Sequence, residues 1–221
     1  MTRPRIHPFL AILALSLLAR TQQPVVPTVT FKCNFPNSDP EHYAISVSSD
    51  AHASYTSDGK LTRDSDSGEP FTLDFTMPQP TLTRIFELTR KSHYFEGEID
   101  SRKKNIASTG QKTLTYKDTQ KKTSVDYNYS PVPAVQELTS IFQNLSITLE
   151  LGRRLEYDHR YQKLALDEEL KQMTETSTRN QSSDVAVIAP ILQKIAADPS
   201  VVNTARMRAQ RLLEQATPSN K

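Results

Sequence analysis

The segment Gly110-Gln111-Lys112-Thr113 carries a glycine, a lysine and a threonine in the order that phosphate-binding loops use. Such a loop needs G-x-x-x-x-G-K-[ST], so that consecutive backbone N–H groups converge on the phosphate oxygens. Here Gln111 separates Gly110 from Lys112, and Lys104 and Asn105 stand where the first glycine should lie. The broken motif predicts a hairpin instead. Gly110 supplies a backbone angle that other residues resist, and Lys112 is expected to face solvent. Ser57-x-x-Lys60 and Ser101-x-x-Lys104 have the spacing at which a lysine activates a serine nucleophile. The companion S-D-N and K-T-G motifs are absent, as is a G-x-S-x-G elbow, so neither pair predicts acyl transfer.

The histidines are His7, His42, His52, His93 and His159. No two have a metal-ligand spacing such as H-E-x-x-H. His42 follows Glu41 and His159 follows Asp158, but neighbours in sequence do not face each other on a helix. His159 extends the stripe of apolar residues from Leu149 to Leu155, which predicts a packed, hydrogen-bonded imidazole. No catalytic, metal or cofactor site is predicted. The remaining charged constellation is Arg102, Lys103, Lys104, Lys117, Lys121 and Lys122, clustered around a predicted hairpin. Basic residues there discourage edge-to-edge aggregation. They are also the candidate interaction surface, suited to an acidic partner.

These groups are positioned by a chain with a marked beginning. Arg3 and Arg5 precede a run from Phe9 to Ala19 that is apolar except for Ser16, the pattern of a secretory signal peptide. A bilayer-spanning helix needs about 20 apolar residues, so no stable transmembrane anchor is expected. Cleavage is placed between Ala19 and Gln23. Losing Arg3, Arg5 and Arg20 leaves 24 basic against 25 acidic residues, so the formal charge falls from +2 to −1. A near-neutral domain lacks the broad positive field of a nucleic-acid binder. The expected location is periplasmic or extracellular. The single cysteine, Cys33, cannot close an intrachain disulfide. Its alternation with Val29, Phe31 and Phe35 predicts burial on a strand, with a disulfide-linked dimer as the alternative.

Period-two alternation predicts strands at about 28–35, at Tyr43–Val47, around Ala53 and Tyr55, and at Phe71–Phe75. It predicts further strands at 105–109, around Leu114 and Tyr116, and at Thr123–Tyr129. Residues 58–70 are polar and predict an exposed loop. Leu82, Ile85 and Phe86 fall at helical spacing, on a helix that ends near Tyr94. Val135, Leu138, Phe142, Leu145 and Leu149 form a second stripe, which runs on toward Arg160 through Gly152. Asp167 is an N-cap candidate for a third helix, residues 174–184 read as a polar linker, and two helices close the chain. Asp184 is expected to cap the first of these and Pro190 to kink it. Val202, Ala205, Ala209 and Leu212 mark the second. The prediction is an α+β fold, with a signal peptide over 1–22, an α+β domain over 28–150 and a helical unit over 151–217.

Two stretches resemble known families. Residues 43–145 resemble a domain of unknown function found in exported bacterial proteins. The likeness is carried by Phe95-Glu96-Gly97-Glu98-Ile99-Asp100 and Thr109-Gly110-Gln111-Lys112-Thr113. That resemblance implies a fold and a location but no chemistry. Residues 188–214 resemble a single HEAT-type helical hairpin, with Pro190 in its first helix and Asp198-Pro199 at its turn. One such unit cannot bury its own apolar face, so it is expected to pack on the preceding helices. The expected function is that of an exported, non-enzymatic protein that binds another envelope or secreted protein. Two alternatives remain: a small periplasmic hydrolase whose site is assembled only in the fold, and an enzyme inhibitor that presents the 58–70 loop.

Overall fold

The computed structural model describes residues 25–62, 65–103, 105, 107–179 and 184–216. The chain forms a mixed α+β fold. Its strands are β1 (Thr28–Asn34), β2 (His42–Ser48), β3 (His52–Ser57), β4 (Phe71–Thr76), β5 (Gln111–Lys117) and β6 (Lys122–Tyr127). They build one antiparallel sheet in the order β4-β3-β2-β1-β5-β6. Its helices are α1 (Gln79–Lys91), α2 (Pro133–Tyr161), α3 (Leu166–Arg179), α4 (Ala189–Ala197) and α5 (Asn203–Ala216).

Alternation along the strands gives the sheet two different faces. The register aligns Leu73, Tyr55, Ile45, Phe31, Leu114 and Val125 in one row across the inner face. On the outer face the matching row is Asp74, Ser54, Ser46, Thr30, Thr115 and Ser124. Hydroxyls bridge neighbouring outer strands, Thr30 to Ser46 at 2.8 Å and Thr115 to Ser124 at 3.1 Å. The inner face receives α1 and α2. The Phe142 ring of α2 stacks on Phe31 at 5.2 Å and 2°. Such a pair adds about 0.5–1.5 kcal/mol beyond the area it buries.

Proline begins α1, α2 and α4, where Pro80, Pro133 and Pro190 lie in the first turn. The missing N–H costs nothing there, and the fixed φ favours a helical start. Pro190 therefore opens a new helix after a 3-10 turn at Val185–Ile188, rather than kinking one already formed. Asp184 precedes that turn without capping it, because its carboxylate accepts a hydrogen bond from Thr81 on α1. Asp167 is likewise not the cap of α3. It lies inside the first turn, where it accepts from Arg208 Nε at 3.0 Å.

Other expectations are corrected as well. The polar run that reads as a linker from 174 is helical as far as Arg179. Of the expected strand at 105–109, the described residues Asn105 and 107–109 are not in a strand. Both edges of β5 are already taken by β1 and β6, and Thr109 is held instead by Asn128 Oδ1. Val201 is buried and Val202 exposed, because the 198–202 turn places Val201 against the core. Met207, off the predicted stripe, is exposed. After α1 the chain makes a tight turn at His93–Phe95, all three residues having positive φ between 51° and 68°.

The helix α2 runs without a break for 29 residues. Between Thr148 and Arg153 it is buried on every side, with the sheet below it and the C-terminal helices above. Gly152 is what permits the second contact. A Cβ there would stand 2.5 Å from Ile188 Cγ2. On an open helix Gly→Ala stabilises by about 1 kcal/mol, whereas overpacking costs about 1–3 kcal/mol. We therefore expect Gly152→Ala to lower the urea midpoint, against the sign of helix propensity. A raised midpoint would show that the 3-10 turn at Val185–Ile188 does not dock on α2 through this close contact.

Candidate functional site

Three polar residues of α2 lie one turn apart on a buried face: Ser146, Glu150 and Arg153. Glu150 Oε1 accepts from Tyr55 Oη at 2.7 Å and from Ser57 Oγ, both on β3. The tyrosine proton is committed to Glu150, so Ser146 Oγ, 2.9 Å away, donates to Tyr55. Burial, then the Glu150 carboxylate, push the Tyr55 phenol far above its ordinary range. Glu150 Oε2 has no hydrogen-bond partner among the described residues and lies 3.7 Å from Arg153 Nη1. A Cβ on Gly59 would stand 2.6 Å from that oxygen, so the glycine makes room for the carboxylate. Arg153 then reaches across the loop. It donates to Gly59 O at 3.0 Å and Glu69 O at 3.3 Å, and its guanidinium lies 4.7 Å from the centre of the Phe71 ring. The base of the polar 58–70 loop is thereby pinned to α2.

Beside this cluster runs a cleft of about 700 Å³. One wall is β4, through Phe71, Leu73 and Phe75. The other is formed by Leu149, Gly152 and the segment from Ala186 to Ile191. Asp74 and Glu156 lie at its mouth, and Glu156 is paired with Lys194 at 2.9 Å. The cleft borders an edge of the sheet, since among the described residues β3 is the only strand hydrogen-bonded to β4. About half of the backbone N–H and C=O groups of such a strand point away from its neighbour.

Among the described residues, two histidines are hydrogen-bonded to carboxylates. His42 Nδ1 lies 2.6 Å from Asp58 Oδ2 at the edge of a second, polar cleft of about 590 Å³. Burial tends to raise the Asp58 carboxyl, but hydrogen bonds from the His42 backbone and imidazole outweigh it and hold the group low. Among the described residues no serine, threonine or cysteine is hydrogen-bonded to His42. Ser57 turns to the inner face and Glu150, and Cys33 lies on that same face. The other histidine, His159, bonds Asp198 Oδ2 at 2.9 Å, as a packed imidazole would. Asp198 also accepts from Lys163 at 2.6 Å and from Ser200. These contacts, led by Lys163, hold its carboxyl well below the usual carboxylate range. The junction ties the end of α2 to the α4–α5 turn.

Lys112 does not face solvent. It is 2% exposed on the inner face, opposite Cys33 on β1. Its ammonium donates to the carbonyls of Thr109, Gly110 and Asn128 and to Thr109 Oγ1, all at 2.8–3.0 Å. Burial lowers its pKa. The lysine thus holds the strand entry that Gly110, with φ at +87°, turns into β5. The same alternation that marks Leu114 and Tyr116 as inward marks Lys112. Cys33 is buried beside it, and burial pushes its thiol up.

The predicted basic surface is only partly free. Lys121 pairs with Glu96 at 3.1 Å and lies 4.9 Å from the Tyr94 ring centre. Arg102 approaches Glu98 at 3.9 Å. Lys117 and Lys122 stand opposite each other on the outer face, and Lys103 is exposed. Lys104 lies outside the described residues. Among the described residues no cluster of three metal-ligating side chains occurs, and no helix is long and apolar enough to cross a membrane. The chain matches no family model and no curated protein.

The buried pair and the helix junction give two expectations. Removing one partner of a buried ion pair costs about 3–5 kcal/mol, because the other charge is left uncompensated. Glu150→Ala should therefore destabilise by about that amount in urea. Glu150→Ala combined with Arg153→Met should cost less than the sum of the two single changes. Strict additivity would mean that the two groups do not act as a pair. Asp198 is lowered in the fold, so its contribution is present above an unfolded value near 3.8 and is lost as pH falls through the folded one. Asp198→Asn should flatten the acid limb of the stability–pH curve below about pH 4. An unchanged limb would show that the junction carries no acid sensitivity.

Proposed function

We propose that the protein is an exported, non-enzymatic interaction module that binds another envelope or secreted protein through the cleft beside β4. The cleft itself carries this reading. Its walls are mostly apolar, and it lies along a sheet edge with unengaged backbone groups. Large accessible apolar surfaces mark interaction sites when they are contiguous and rimmed by polar groups. Export rests on the Phe9–Ala19 run after Arg3 and Arg5. The buried polar side chains nearby, Glu150 and Arg153, are engaged in fixing β3 and the 58–70 loop to α2. They build the wall of the cleft rather than project into it as reactive groups.

The test is site-specific photocrosslinking in the native cells, with a benzophenone amino acid in place of Leu73 in the cleft and, as control, at exposed Met207. A discrete adduct from position 73 but not 207 is expected, on a chain whose mature N-terminus begins between residues 20 and 23. Identical patterns from both positions would sink the cleft as an interaction site. An intact N-terminus on the intracellular chain alone would sink export.

A further inference from the structure

The two edges of the sheet differ in a way that points to a binding mode. Against β6, the turn at His93–Phe95 is held by a hydrogen bond from Thr123 Oγ1 to Tyr94 O at 2.5 Å, and Lys121 and Lys122 stand at the hairpin end. Lysines and covering segments are the usual protection of a sheet edge. The β4 edge has Pro70 and Pro78 outside its ends and a single charge, Asp74, in its middle. Beyond their ladders with β3 and β5, neither Phe71–Thr76 nor Lys122–Tyr127 makes a backbone–backbone hydrogen bond among the described residues, so the two edges differ in charge and in the side chains beside them. Alongside that edge lies the apolar cleft, at the level of the inward side chains Phe71, Leu73 and Phe75.

We infer that β4 accepts an extended segment of a partner protein as a seventh strand, one with alternating apolar residues and a basic residue opposite Asp74. This rests on the interaction reading above and adds its mode and chemistry. Strand addition takes affinity from main-chain hydrogen bonds and specificity from pockets for alternate side chains. The cleft offers such pockets against Leu149, Gly152 and Ile188. Asp74 is 70% exposed, and His52 Nε2 lies 3.9 Å from its Oδ1. Glu156 at the mouth is already paired with Lys194. The open charge beside the edge is therefore negative, and cross-strand pairs of opposite charge stabilise a ladder. The same charge disfavours one register of a second copy as occupant. Two β4 strands paired antiparallel with Asp74 at the centre would bring their carboxylates together, and like charges facing each other are destabilising, whereas the register centred on Leu73 would set Asp74 opposite Thr72.

The probe is a fluorescent heptapeptide, Thr-Val-Lys-Leu-Thr-Val-Thr, compared with the same peptide bearing Glu in place of Lys. Saturable binding of the full chain to the lysine peptide is expected, about fivefold tighter than to the glutamate peptide. Asp74→Lys should reverse that order. Hydrogen exchange with the lysine peptide at saturation should slow β4 amides at least tenfold and leave β6 amides unchanged, which tests the mode without any variant. Absence of saturable binding up to about 1 mM, protection at β6 or elsewhere, or equal affinity for the two peptides would overturn the inference. So would β4 protection that rises with protein concentration alone, since that would make a second copy the occupant. If Leu73 crosslinks a protein in cells while both peptides leave β4 exchange unchanged, the interaction reading stands and strand addition fails.

Discussion

A carboxylate buried in the middle of α2 fixes how the halves of this molecule meet. Glu150 is 4% exposed, and its Oε1 gathers hydroxyls from Tyr55 and Ser57 on β3. A charge so placed is costly unless hydrogen bonds and a counter-ion compensate it. The compensation dictates the neighbourhood. Gly59 must lack a side chain, Arg153 must lie within reach, and the ends of the polar loop must present their carbonyls to that arginine. The arginine then lies over Phe71, so the position of the first residue of β4 is coupled to a charge on a helix. Apolar packing alone tolerates sliding of a helix over a sheet. A hydrogen-bonded buried charge does not, which makes Glu150 a registry device for α2.

Much of the architecture is visible in local periodicity. Alternation locates β1 to β4 and the β5–β6 hairpin, because one face is buried and the other is almost all hydroxyls and charges. The stripe of Val135, Leu138, Phe142, Leu145 and Leu149 locates α2 for the same reason. Less legible is the use of polar residues inside. Ser146, Glu150 and Arg153 follow the apolar stripe at helical spacing, but a charged residue there reads as the helix turning toward water. Only long-range contact with β3 and the loop reverses that sense. Lys112 misleads similarly. Its neighbourhood of Gly110 and Thr113 suggests a solvent loop, while its parity with Leu114 and Tyr116 places it inside. Three carbonyls satisfy it, and those carbonyls are arranged by tertiary structure.

Prolines and polar runs mislead for a different reason, since each has two compatible positions. Pro190 is destructive within a helix and favourable in its first turn. Choosing between them requires knowing that Val185–Ile188 forms a separate 3-10 turn. Residues 174–179 are polar but include no proline or glycine. Composition therefore permits a helix, and α3 continues through them. A mainly polar surface was never incompatible with a helix, only uninformative about one.

The unequal treatment of the sheet edges follows from these choices. At β6 the chain maintains three consecutive residues at positive φ, a conformation costing of order 1–3 kcal/mol per residue. Burial of Phe95, the Thr123 hydrogen bond and the contact of Tyr94 with Tyr116 at 4.7 Å hold it there. The turn thereby packs against the β5–β6 hairpin. At β4 the nearest segment across the cleft is Ala186 to Ile191. That segment docks on α2 through Gly152, and the cleft remains between it and Phe71, Leu73 and Phe75. The Glu150 cluster fixes one wall of that cleft and the Gly152 contact fixes the other. The opening is thus set by two specific close approaches on a single helix, which separates it from a chance defect in packing.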